Sequence, residues 1–160
     1  MEKRKATKNR GTMNIKLKPF GFINYLRILS MTLDKKYSKE REDTFFSYLL
    51  KGLKSVFQKD SYEFTIFVNG KFAGNIGFFN SKNRSYELGY MILRNYRGKG
   101  VATNAINKII KLGFKELNIS KIFAITDFEN KESQKVLIKN KFKLIKREKN
   151  KEKLIWERRR

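Results

Sequence analysis

From Ser61 to Leu93 the hydrophobic period is two residues, and from Val101 onward it is close to four. Strands therefore give way to a helix across a link of a few residues, which limits the folds open to the chain. In "SYEFTIFV" the residues Tyr62, Phe64, Ile66 and Val68 share one face, and Asn69-Gly70 follows. That dipeptide is a strong hairpin signal, because both central residues of a type I′ turn need positive φ. "KFAGNIGFF" (71–79) is the return strand, "NSKNR" a polar turn, and "SYELGYMIL" (85–93) a third strand. Three consecutive strands with short links make an antiparallel meander.

The rest of the order follows from the same periods. "MNIKLKPF" (13–20) alternates until Pro19 stops it. Phe22, Tyr25, Leu26, Leu29 and Leu33 predict a helix over 21–36, and Thr44 can cap a second one over 44–60. Val101/Ala102, Ala105/Ile106 and Ile109/Ile110 mark one apolar face of a helix running to about Leu117. "KIFAITD" (121–127) is a continuous apolar run of buried-strand length, "NKESQKVLIKN" (130–140) a short helix, and residues 142–158 two strands around a polar turn. The expected order is β-α-α-β-β-β-α-β-α-β-β, an α+β fold around one mixed, largely antiparallel sheet. With 160 residues and one proline, the chain reads as a single domain over 13–160. Residues 1–12, with five cations against one acid, read as a flexible basic arm.

Composition removes several chemistries. There is no cysteine, so disulfides, thiolate zinc sites and a cysteine nucleophile are excluded. There is no histidine, so acid–base work falls to Asp, Glu, Tyr, Lys or water, and no metal site is expected. No apolar run approaches a membrane span and none follows the basic start, so a cytoplasmic protein is expected. The net charge of +23 fits either attraction to polyanions, such as RNA or the ribosome, or solvated lysines spread by coding bias.

Gly98 and Gly100 stand where the long helix begins. A helix N-terminus carries unpaired N–H groups and partial positive charge, and small residues let an anion reach the backbone. "RGKGVA" therefore reads either as a tight connection or as a phosphate cradle made by Arg97, Gly98, Lys99, Gly100, Val101, Ala102 and Thr103. The best-known rivals do not fit: Lys99 is followed by Gly100 rather than Ser or Thr, and the preceding strand ends an antiparallel meander rather than a parallel βαβ unit.

Arg97-Gly98-Lys99-Gly100-Val101-Ala102 resembles the Arg/Gln-x-x-Gly-x-Gly/Ala motif of the GNAT N-acetyltransferase superfamily. Residues 86–142 are similar to its RimJ/RimL-type branch, through Glu87-Leu88-Gly89-Tyr90, "LGFKEL" and Asn130-x-x-Ser133. The resemblance implies acetyl-CoA as donor, with its pyrophosphate on residues 97–103, no metal, and direct attack by a primary amine in a ternary complex. It also implies that the strands over 85–93 and 121–127 splay apart, with amides near Ile92 and Leu93 pairing with pantetheine. Asn130 and Ser133 would touch the donor from the other side; their alternative roles are a helix N-cap and a first-turn polar residue. Glu87 matches the glutamate that serves several relatives as base, the alternative being a strand carboxylate paired with a lysine. Where many relatives place an acidic tyrosine, this chain has Leu137, leaving Tyr90, Tyr96 or solvent. Lys141 replaces the glycine of the usual Gly-Phe. The acceptor is a protein N-terminus, such as that of a ribosomal protein, or a small-molecule amine. A basic RNA- or ribosome-binding module and an acyl-CoA sensor, both without turnover, are the competing readings.

Overall fold

The structure is a computed structural model that describes residues 13–21 and 61–160. The basic arm and the two helices expected over 21–36 and 44–60 lie outside the described residues, apart from Gly21. Strands β1 (Ile15–Pro19), β2 (Tyr62–Val68), β3 (Lys71–Lys82) and β4 (Ser85–Ile92) are followed by helix α1 (Val101–Lys115). Then come β5 (Lys121–Asp127), helix α2 (Lys131–Lys139), β6 (Lys143–Glu148) and β7 (Lys153–Arg159). Among the described residues this is the order read from the sequence.

The seven strands form one sheet in the order β1-β2-β3-β4-β5-β7-β6. Every neighbouring pair is antiparallel except β4 with β5, which is parallel. The Asn69-Gly70 turn takes positive φ at both residues, 50° and 79°, as the hairpin requires. β3 runs three residues further than its alternation suggests, because a register shift between Phe79 and Lys82 lets it continue to a second tight turn at Asn83-Arg84.

One face of the sheet carries the core. Val101, Ala105, Ile106, Ile109 and Ile110 of α1 are buried against Ile66, Ile76, Phe78, Leu88 and Ile92 from the strands. α2 joins the same cluster through Leu137, with Phe142, Leu154 and Trp156. A Cβ on Gly113 would stand 2.8 Å from the Phe78 ring, so the missing side chain lets α1 settle onto β3.

The departure at Lys141 has a visible consequence. Phe142 N–H bonds the Leu137 carbonyl at 3.1 Å and Lys141 N–H bonds Ile138 at 2.9 Å, which closes the end of α2. Lys141 sits there at φ +62°, the conformation a glycine adopts without strain. Left-handed backbone costs a side-chain-bearing residue roughly 1–2 kcal/mol, and glycine's extra freedom in the unfolded chain offsets about half of that gain. Lys141→Gly is accordingly expected to raise stability by about 0.5–1 kcal/mol, read as a higher denaturant midpoint with unchanged slope.

Candidate active site

The site begins where β4 ends. After Ile92 and Leu93 the chain makes a single 3₁₀ turn over Arg94–Tyr96 and passes through Arg97 in extended conformation. It then bends at Gly98, φ +69°, and Gly100, φ +79°. Gly100 is the N-cap of α1 and gives no side-chain hydrogen bond to the first turn, which holds no acidic residue. The opening amides of α1, on Val101, Ala102 and Thr103, thus keep the unmet donor capacity and positive partial charge of a helix start. Val101 is buried and pins this turn to the core, while Gly98, Lys99 and Gly100 are exposed. A Cβ on Gly98 would meet nothing within 4 Å, so the space above the bend is open. Lys99 and Arg97 put two cations beside it. An anionic diphosphate fits this arrangement by charge, donor count and access.

Alongside the bend the sheet is parted. β4 and β5 are in register only at Ser85↔Lys121, Tyr86↔Ile122 and Glu87↔Phe123. Beyond these pairs β4 continues against β3 and β5 against β7, so the two parallel strands diverge. Leu93 N–H donates to the Ala73 carbonyl at 2.9 Å. Donors alternate sides along an antiparallel strand, so in the continuous 74–79 register the amides of Leu88, Tyr90 and Ile92 face away from β3, toward the divergence. Of the two amides expected near pantetheine, Ile92 has the required direction, and that of Leu93 is used inside the sheet. The Ile92 carbonyl, on the same side, accepts from Arg97 Nε at 2.8 Å. Arg97 thereby ties the turn to the end of β4 in addition to supplying charge.

The two faces of the divergence differ in chemistry. Leu88, Tyr90 and Ile92 lie on the core face. Glu87, Gly89 and Met91 alternate with them on the opposite face. Glu87 is the last β4 residue paired with β5, in register with Phe79 on one side and Phe123 on the other. It stands at the fork, half-buried between two aromatic positions. On the core face, Tyr90 reaches from β4 to the first turn of α2, its hydroxyl 2.7 Å from Ser133 Oγ. Burial pushes the Tyr90 phenol above its ordinary value near 10, and the Ser133 bond offsets this in part. Asn130 is the N-cap of α2, its Oδ1 accepting from Ser133 N–H at 3.0 Å. Asn130 and Ser133 are thus brought to the parted strands, with their structural duties in place. The Tyr90–Ser133 pair was not legible as a pair, although a tyrosine on an apolar strand face signals that its hydroxyl needs a partner.

A family profile described as "Acetyltransferase (GNAT) domain" matches residues 26–143, well over half of the chain. The chain belongs to the GNAT acetyltransferase family. Within that family it is similar to the "Uncharacterized N-acetyltransferase p20" of Bacillus licheniformis, at 41% identity over 66 residues. That alignment covers 40% of this chain and 37% of the relative. It is 33% identical over 70 residues to the "Putative ribosomal N-acetyltransferase YdaF" of Bacillus subtilis, covering 42% and 38%. The matched stretches thus span well under half the length of these curated GNAT relatives. Among solved structures, Campylobacter jejuni N-acetyltransferase PseH in complex with acetyl coenzyme A superposes with a TM-score of 0.69. At 22% identity over 92% of this chain and 99% of that one, the likeness shows the fold. Among the described residues no group of His, Cys, Asp or Glu could hold a metal, and no helix is long and apolar enough to cross a membrane.

Proposed function

We propose that this protein is an acetyl-CoA-dependent N-acetyltransferase of RimJ/RimL type, working in the cytoplasm by direct attack of a primary amine in a ternary complex. The observation that carries the reading is the uncapped start of α1, opened by two left-handed glycines beside parted parallel strands. The amides of residues 98–103, with Arg97 and Lys99, would hold the diphosphate, and the Ile92 amide would hold the pantetheine arm. Asn130 and Ser133 would form the opposite wall. When bound, the donor supplies an acyl group already activated as a thioester.

The remaining task of the chain is to make the amine nucleophilic. An α-amino group has a pKa near 8 and a lysine amine near 10.4, so at neutral pH most of either is protonated. Glu87, at the fork and on the face away from α1 and α2, would take that proton directly or through water. Polarisation of the reacting carbonyl falls to main-chain donors along the parted edge of β4.

For the acceptor we favour a protein N-terminus on an RNA-rich particle over a polyamine or an aminoglycoside. The chain carries a net charge of +23, a field that repels polycations and attracts polyanions. The described name of YdaF supports the same choice. Two measurements test the reading. Acetyl-CoA at 100 times its Kd is expected to stabilise the fold by about 2.7 kcal/mol in a thermal melt. A thiol-release assay over peptides and small amines is expected to respond to peptides with a free N-terminus. No melt shift and no thiol release with any amine would sink the assignment; binding of RNA alone would establish the module reading in its place.

A further inference from the structure

Glu87 lies on the sheet face away from α1 and α2, so an amine that meets it arrives across that face. The same face can be followed outward from the fork, strand by strand. Phe123 of β5 is in register with Glu87. Ile125 comes two residues later, hence on the same face, and stands opposite Ile155 of β7. On β6 the register shifts between Leu144 and Lys146, so Ile145 and Lys146 together oppose Ile155. Phe123, Ile125, Ile155 and Ile145 thus form an apolar stripe that starts at the fork and crosses to the edge of the sheet.

Large apolar side chains are seldom exposed elsewhere on this molecule. Among the described residues there are four, and two of them, Ile125 at 44% and Ile145 at 54%, belong to the stripe. Ile155 is half-buried between them. Scattered exposed apolar residues carry no message, but a contiguous set beside a reactive carboxylate marks a surface made to be covered.

The charges around the stripe are already matched. β5, β6 and β7 hold three carboxylates, Asp127, Glu148 and Glu157, and each has a cation. Asp127 pairs with Lys153, and Glu148 accepts from Lys146 at 2.6 Å. Glu157 accepts from Arg159 Nε at 2.7 Å and has Lys121 Nζ at 3.7 Å. The distal ammonium of a polyamine therefore finds no unmatched carboxylate on these three strands. A hydrocarbon side chain finds an apolar floor with a charged rim, the arrangement of a recognition surface. Spacing says which side chain. Ile125 is about 6.6 Å along the strand from Phe123, and consecutive Cα atoms of a peptide are about 3.8 Å apart. A chain with its amine at Glu87 lays its first or second residue over Ile125.

Given the acetyltransferase reading, on which this rests, we propose that the stripe of Ile125, Ile155 and Ile145 selects the acceptor: a peptide N-terminus with a large apolar side chain on its first or second residue. Ile125 and Ile155 determine specificity and take no part in the proton transfer.

The test uses the full chain with acetyl-CoA and follows thiol release. The acceptors are two short peptides with leucine first or second in the chain, the same peptide with serine at both positions, and spermidine. At least one leucine peptide is expected to exceed the serine peptide and spermidine about tenfold in kcat/KM. Ile125→Thr and Ile155→Thr, which keep the β-branched shape that strands favour, should each remove most of that preference. The loss should fall on KM for the leucine peptide, with kcat, the serine peptide and the Kd for acetyl-CoA unchanged within about twofold. Thermal melts confirm folding, and either variant suffices if the other is unfolded. Equal rates for leucine and serine peptides, better transfer to spermidine, or a leucine preference that survives in a folded variant would overturn the proposal and leave the acetyltransferase reading standing. A wild-type dimer that Ile125→Thr dissociates would overturn it too, by assigning the stripe to a second copy of the chain. Thiol release with no amine at all would overturn the proposal together with that reading.

Discussion

Gly74→Ala is expected to cost more than about 3 kcal/mol and to leave little folded protein at physiological temperature. A Cβ at this position would lie 2.0 Å from the Met91 carbonyl oxygen and 3.1 Å from Ile92 Cα, both backbone atoms that no rotamer can move. The φ of +152° adds strain for any L side chain. Gly74 is the β3 residue opposite both Ile66 and Ile92, next to the register shift between Ile66 and Phe67. Relief would therefore require β3 to withdraw from the very stretch of β4 that lines the site. Gly70→Ala is the control: its φ is +79° but its Cβ would meet nothing within 4 Å, so only the left-handed cost of roughly 1–2 kcal/mol applies. Denaturant midpoints for the two variants separate these causes, and equal losses would refute the backbone clash.

Glu87→Gln is expected to lower turnover by about a hundredfold or more, the usual contribution of a positioned base, with acetyl-CoA affinity unchanged within about twofold. The amide keeps the size of the side chain and its place between Phe79 and Phe123, so folding and donor binding survive. In the proposed site the donor is held by residues 92 and 97–103, at and beyond the end of β4, whereas residue 87 stands at the fork. Parallel turnover and calorimetry on one preparation check both halves. Unchanged turnover would remove Glu87 from the chemistry, and a matched loss of donor affinity would make it a structural carboxylate.

What could be read in the sequence was what local patterns encode. The apolar face of α1, the Asn69-Gly70 hairpin and the change of period at Gly98–Gly100 depend on neighbours a few residues away, and each element stands where its pattern put it. Less legible was whatever depends on long-range register. Whether Ile92 or Leu93 turns its amide toward the parted strands is decided by how β4 is paired with β3, information that a single strand does not contain. The meeting of Tyr90 with Ser133 needs the placement of α2 against β4, forty-three residues apart in the chain. At Lys141 the missing glycine raised a question about the turn, and the answer is that lysine takes up the left-handed conformation itself.

The short seam between β4 and β5 carries one more implication. The sheet amounts to two antiparallel ribbons, β1–β4 and β5–β7–β6, joined at one end by three register pairs and bridged by the helices. Past the seam each strand keeps an antiparallel neighbour of its own, β3 for β4 and β7 for β5, so the parting is written into the register of both ribbons and leaves neither strand without a partner.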